Sequence, residues 1–155
     1  MFYNKSITGT VYIINQNRVL LHVHKKYNTW FPIGGHVEQD EFPSDAVKRE
    51  AKEEAGLEIK IVNTEHMPET DIGRVVRVPL PFCTYNEGKA GDEEFFDFIY
   101  IAETEQTEPH AGTGESNQFK WFTLQELKEA TGIKPHVRNT AIRVLEYYSS
   151  NNEIK

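Results

Sequence analysis

Hydrophobic and polar positions alternate along the first stretch of the chain. Residues 6–14, Ser-Ile-Thr-Gly-Thr-Val-Tyr-Ile-Ile, are dense in β-branched types and predict a strand. Residues 15–17 form a polar turn, and 18–24 predict the returning arm of a hairpin. His22 and His24 then share one strand face, which reads either as a polar sheet surface or as half of a metal grip with no third ligand nearby. After the polar loop at 25–29 and Trp30, the period changes. Val47, Ala51 and Ala55 fall four apart, one narrow stripe of small side chains on a helix that can sit close to its neighbour. Pro43 suits the first turn of that helix and Gly56 the left-handed position that ends it.

Alternation returns at 57–62 and 74–79, two further predicted strands, and is strongest at 94–102. There Phe96, Phe98 and Tyr100 take one face, and Phe95, Asp97, Ile99 and Ile101 take the other. Asp97 among apolar neighbours needs a partner, structural or functional. The segment 79–92 between these strands carries turn residues, with Phe82 and Tyr85 as core or base-stacking aromatics. Residues 103–118 are polar and predict a long loop, a length that in compact domains often marks function. A short strand over 119–123 follows. Thr123 and Glu126 have capping-box spacing for a helix stopped by Gly132, and Pro135 opens a last helix with Val137, Ala141, Val144, Leu145 and Tyr148 on its apolar face. Strands and helices in this order predict an α/β or α+β arrangement of three layers.

With 155 residues, 38% of them hydrophobic, nine Phe and seven Tyr, the chain is expected to form one domain over 1–155 with a substantial core. A net charge of −7 without a basic block argues against nucleic acid or an anionic membrane as partner. The single Cys83 excludes an internal disulfide and a multi-cysteine zinc site. The first residues lack the apolar core of a signal peptide, and no apolar run reaches membrane-spanning length, so a cytoplasmic location is expected.

The helix after Pro43 also carries Glu50, Glu53 and Glu54, at i, i+3 and i+4. Like charges at this spacing destabilise a helix by a few tenths of a kcal/mol per pair, which a hard divalent cation would turn into coordination. On an arbitrary helix a solvated acidic face is the commoner reading. Here the cluster sits inside Gly35, five residues, Glu41, seven residues, Arg49-Glu50, two residues, Glu53-Glu54, one residue, Gly56-Leu57. This spacing resembles the signature of the Nudix hydrolases, and chance agreement at ordinary residue usage has odds on the order of one in 10⁸. Ala51 stands where that signature has a bulky aliphatic, and Ile33 stands where a proline usually precedes the Gly34-Gly35 pair. Neither departure touches a carboxylate or the arginine.

The resemblance implies an α/β/α sandwich, with a mixed sheet between the carboxylate helix and the C-terminal helices. It implies hydrolysis of a nucleoside diphosphate linked to another moiety, with Mg²⁺ or Mn²⁺. Glu50, Glu53 and Glu54 would be metal ligands, with a carbonyl of Gly34 or Gly35 as a further one, and Arg49 would orient Glu50 or neutralise part of the cluster. A loop acid before a tryptophan strand often serves such enzymes, and Glu115, six residues before Trp121, is the candidate. Glu50 and Glu115 compete as general base, with Glu50 favoured for its rigid helix. His36 follows the glycine pair and is left without a role. Two other functions fit less of the pattern: a catalytically silent nucleotide sensor on the same fold, and an acidic partner-binding domain. The substrate is not legible. Family branches for ADP-ribose and dinucleoside polyphosphates tend to carry a Pro or Tyr in the region of residues 71–74, here Asp-Ile-Gly-Arg, which leaves a nucleoside triphosphate as first choice. Oligomeric state is not legible either.

Overall fold

The computed structural model describes residues 5–62, 78–88 and 93–152. In chain order these form β1 (Lys5–Asn15), β2 (Arg18–Val23), β3 (Trp30–Phe31), β4 (Ile33–His36), α1 (Pro43–Ala55), β5 (Lys60–Ile61), β6 (Cys83–Gly88), β7 (Glu94–Glu103), β8 (Phe119–Phe122), α2 (Leu124–Glu129) and α3 (Pro135–Asn152). β1 is the axis of the sheet. One edge pairs in parallel with β7, from Lys5 opposite Glu94 to Ile14 opposite Glu103. The other edge is divided. β2 pairs with it only beside the turn at Gln16-Asn17, whose positive φ angles of 50° and 58° fit a tight hairpin. β4 takes Thr8 to Val11 in antiparallel register. β6 and β5 line the far edge of β7, and β8 and β3 pair with β2.

Because side chains alternate along β1, its two faces feed two cores. Tyr12 and Ile14 join Ile99, Ile101, Leu127, Val137, Ala141 and Val144 under α2 and α3. Val11 and Ile13 join Tyr100, Ala102, Val47, Ala51, Ala55 and Leu57 under α1. The expected α/β/α sandwich with a mixed sheet is therefore the observed one. The stripe of small residues places α1 directly on Gly9, where a Cβ would stand 2.9 Å from Val47 Cγ1 and 3.0 Å from the Pro43 carbonyl. Gly56, at φ 64°, closes the helix by donating to Lys52, and the Leu57 N–H donates to Ala51 at 3.1 Å. The Thr123–Glu126 capping box forms in both directions.

Some elements differ from expectation. β3, β4 and β6 are strands that the sequence hides: β3 is two residues long, β4 holds the glycine pair, and β6 lies between prolines and Gly88. Of the strand expected over 57–62, only Lys60–Ile61 pairs. The strand expected over 74–79 falls mostly outside the described residues, as do His66 and the 71–74 region; Val78 and Pro79 are described and are not in a strand. No helix among the described residues is long and apolar enough to cross a membrane.

Candidate active site

Arg49 organises the acidic face of α1. Its Nε and Nη2 grip both oxygens of Glu41, at 3.1 and 2.8 Å. Nη1 donates to Glu50 Oε1 at 2.9 Å and to Glu53 Oε2 at 3.2 Å, and Nη2 also donates to the His36 carbonyl at 3.0 Å. A forked guanidinium is the side chain suited to this many planar contacts. Glu41 in turn accepts from the Glu38 amide at 2.8 Å, so the arginine ties the loop before the helix to the helix itself. The Arg49 hydrogen bond, more than any other influence, holds the Glu41 carboxyl below its ordinary range, and these partners raise the arginine.

Glu50 presses on β4. A Cβ on Gly35 would lie 2.2 Å from Glu50 Oε1, so any larger residue there would push the carboxylate out of its present place. Glu53 is exposed, whereas Glu54 points inward with its side chain 12% exposed. Burial first, then a hydrogen bond to Glu50 and the charges of Glu50, Glu115 and Glu53, push Glu54 up to about 9. Crowded, half-dehydrated carboxylates of this kind are what a divalent cation relieves, and an all-oxygen donor set suits Mg²⁺ or Mn²⁺. The site thus fits such an ion chemically. As the side chains stand, Arg49 holds two of the three glutamates, and no three His, Cys, Asp or Glu side chains converge on one point among the described residues.

The loop after β7 is strapped to the end of α1. His110 N–H donates to the Ala55 carbonyl at 2.8 Å and Gly112 N–H to the Glu53 carbonyl at 3.1 Å, meeting acceptors that a helix end leaves open. Lys25 donates to the Gly114 carbonyl from the other side. Glu115 follows, exposed, and its charge reaches both Glu54 and His24. Glu115, 61 to 65 positions from the helix glutamates in sequence, is thereby brought within electrostatic reach of Glu54.

The two histidines stay neighbours, with ring centroids 6.2 Å apart, but sit in different surroundings. β2 ends at Val23, and His24 lies beyond it against Tyr27 and Phe31, with ring centroids 4.9 and 5.4 Å away. His22 is buried at 4%, stacks on Phe119, and brings Nε2 to 3.4 Å from Glu54 Oε2. Neither ring nitrogen completes a hydrogen bond of normal geometry, although the Pro32 carbonyl pulls weakly on the ring. Burial, then the charge of His24, lowers His22 to about 4, so the ring beside Glu54 is neutral at ordinary pH. The sequence signal for this contact was the two-residue strand period, which places His22 on the face of Leu20.

On the opposite face of the sheet lies a cleft of about 340 Å³. Its floor includes Thr8, Thr10 and Asp97, with Tyr27, Phe31 and Phe95 among its walls, and it runs to Gly34, Gly35 and His36 on β4. β4 pairs only with β1 among the described residues, so this strand separates the cleft from the glutamates by one sheet thickness. Tyr85 donates or accepts a hydrogen bond with Thr140 at 2.9 Å, and Phe82 meets Tyr147 at 5.4 Å. Of the two aromatics, Tyr85 lines the cleft and Phe82 belongs to the core beneath α3.

A NUDIX domain family model matches residues 5–142. Among solved structures, the chain is similar to a NUDIX-family hydrolase from Clostridium perfringens, at 31% identity and a TM-score of 0.81 over 94% of this chain and 99% of that one. It is similar in fold to a MutT NUDIX hydrolase from Burkholderia pseudomallei, at 22% identity and a TM-score of 0.65, over 93% and 98% of the two chains. It is also similar in fold to an ADP-ribose pyrophosphatase from Streptococcus suis, at 16% identity and a TM-score of 0.57, over 93% and 91%. No curated protein sequence matches the chain.

Proposed function

The chain belongs to the Nudix hydrolase family, and on that premise we propose that it cleaves the pyrophosphate bond of a nucleoside triphosphate or a related nucleoside diphosphate derivative, with residues 1–155 acting as one domain. The observation that carries this is the arrangement of Glu50, Glu53 and Glu54 on one turn of α1, the first two held by Arg49 and Glu50 set against Gly35. Glu50, Glu53 and Glu54 would hold Mg²⁺ or Mn²⁺, together with a carbonyl of the Gly34-Gly35 pair. Such an ion supplies neutralisation of phosphate charge and activation of water.

The remaining work belongs to the chain. Arg49 keeps the carboxylates of Glu50 and Glu53 aimed to one side, by hydrogen bonds that also anchor the loop through Glu41. Glu50 already accepts from Arg49 at Oε1 and suits a ligand. Glu115, exposed on a strapped loop within electrostatic reach of Glu54, suits the proton acceptor.

The test is phosphate and monophosphate release from a nucleotide panel with Mg²⁺, on wild type, Glu53→Gln and Glu115→Gln. We expect turnover of at least one nucleotide by wild type. Glu53→Gln should raise the metal requirement, and Glu115→Gln should depress kcat with little change in KM. Metal-dependent nucleotide binding without turnover would sink the hydrolase reading for this chain and leave a sensor. A silent Glu115→Gln would return the proton-accepting role to Glu50.

A further inference from the structure

Arg49 accounts for two of the three glutamates on the acidic face of α1, and the third is met from elsewhere. Its guanidinium donates to Glu41, Glu50 and Glu53, and no bond from it to Glu54 is seen among the described residues. Glu54 shares a hydrogen bond with Glu50 on its own helix and otherwise points toward the sheet. There His22 Nε2 stands 3.4 Å from its Oε2. The polar group that the sheet offers Glu54 is therefore an imidazole.

Histidine is an unfavourable choice for stability at this position. His22 is 4% exposed, and neither ring nitrogen completes a hydrogen bond of normal geometry. It lies on the face of Leu20, which belongs to the core beneath α1, and opposite Phe119 on β8, which packs on that core. A leucine there would bury apolar surface and leave no polar atom to satisfy. The ring is also held in orientation. It stacks on Phe119 with centroids 6.2 Å and planes 16° apart, and His24 meets it edge-on. Between these two rings, the edge that carries Nε2 is turned to Glu54.

We propose that His22 is a positioning residue of the metal site: its ring N–H holds Glu54 Oε2 from the sheet, as Arg49 holds Glu50 and Glu53, and leaves the other lone pairs of Glu54 for a divalent cation. This rests on the metal-dependent reading above and deepens it. The role needs no change in the protonation of the ring. A carboxylate offers about four lone-pair sites, so one donor leaves room for an ion. At 3.4 Å the contact is longer than an ordinary N–H···O bond, and contacts of this kind tighten when a site is filled. Partners behind a ligating side chain fix its orientation, and their removal typically costs about 10–100-fold in metal affinity.

Mn²⁺ titration, followed by the electron paramagnetic resonance of the free ion, tests this without substrate or turnover. His22→Leu should bind Mn²⁺ at least about tenfold more weakly than wild type, while its metal-free melting temperature holds or rises. His22→Gln, which returns an N–H at similar reach, should recover the affinity to within about threefold. In a Glu54→Gln background His22→Leu should add less than about twofold, because both substitutions break one contact. Unchanged Mn²⁺ affinity in His22→Leu, a loss that persists in full in the Glu54→Gln background, or no recovery in His22→Gln would each overturn the assignment. Wild type that binds no Mn²⁺ would overturn the metal reading together with this one, whereas normal binding by His22→Leu overturns this one alone. Should His22→Leu fail to fold, His22→Met, an apolar chain that adapts to irregular packing, takes its place in each comparison.

Discussion

At the scale of single residues, Glu54 on α1 and Glu41 in the loop before it respond to pH in opposite senses. Glu54 is pushed up to about 9 without metal, chiefly by burial. Its folded value lies above its ordinary 4.5, so the stability it contributes is complete below about pH 4.5 and is lost as pH rises toward 9. Metal-free Glu54→Gln should therefore melt higher than wild type at pH 8 and about equally at pH 4.5, while losing at least about 10–100-fold in Mn²⁺ affinity. Equal melting temperatures at pH 8 would remove the strain argued for this side chain. Glu41 has the reverse sign. Arg49 depresses it, so its contribution is present above the ordinary carboxylate range and disappears as pH falls through the folded value. Lysine cannot make the two-pronged grip. Arg49→Lys should be less stable than wild type at pH 7, and the two proteins should converge in acid unfolding curves once pH has fallen through the depressed Glu41 value; parallel curves would show that the grip contributes nothing.

At the scale of elements, α1 owes its position to what is missing from its neighbours. Gly9 leaves room for Val47 and Pro43, and Gly35 leaves room for the Glu50 carboxylate. Gly9→Ala should cost about 1–3 kcal/mol by overpacking, read as a lower midpoint in urea with unchanged slope. A neutral result would mean that the helix can lift off the sheet freely, and the site geometry with it. Much of this element was legible. The spacing of Val47, Ala51 and Ala55, the Pro43 start and the Gly56 stop all describe the helix that forms. The glutamates were legible by resemblance and by like-charge spacing. What escaped were features that exist only in tertiary pairing: β3 and β4 are too short to show a period, and β6 shows half-burial on alternate residues that prolines and turn types mask. The strap from residues 104–118 to the C-terminal end of α1 uses backbone amides, which carry no residue-type signal. For the same reason Arg49 could be expected to meet Glu50, but not to bind Glu41 most tightly.

At the scale of the molecule, one sheet serves two cores, and the two tryptophans divide between them. Trp30 packs against the core beneath α2 and α3, and Trp121 against the core beneath α1. If residues 1–155 are one domain, Trp30→Phe and Trp121→Phe, each retaining one reporter, should give coincident urea transitions with far-UV circular dichroism. Separated midpoints would mean that the two faces unfold apart. The parallel pairing of β1 with β7 has a further consequence, in the time that the chain takes to assemble. Thr8 and Asp97 are 89 positions apart, yet they occupy adjacent strands at the middle of the sheet. Loop closure over that span must come before the central ladder gives any return, which places the molecule among slow folders rich in non-local contacts. On a ribosome, the first strand leaves the tunnel long before its principal neighbour has been translated. Until then β1 is held by the hairpin with β2, by β4 and by α1, and its β7 edge stays open to chaperones or to another nascent chain.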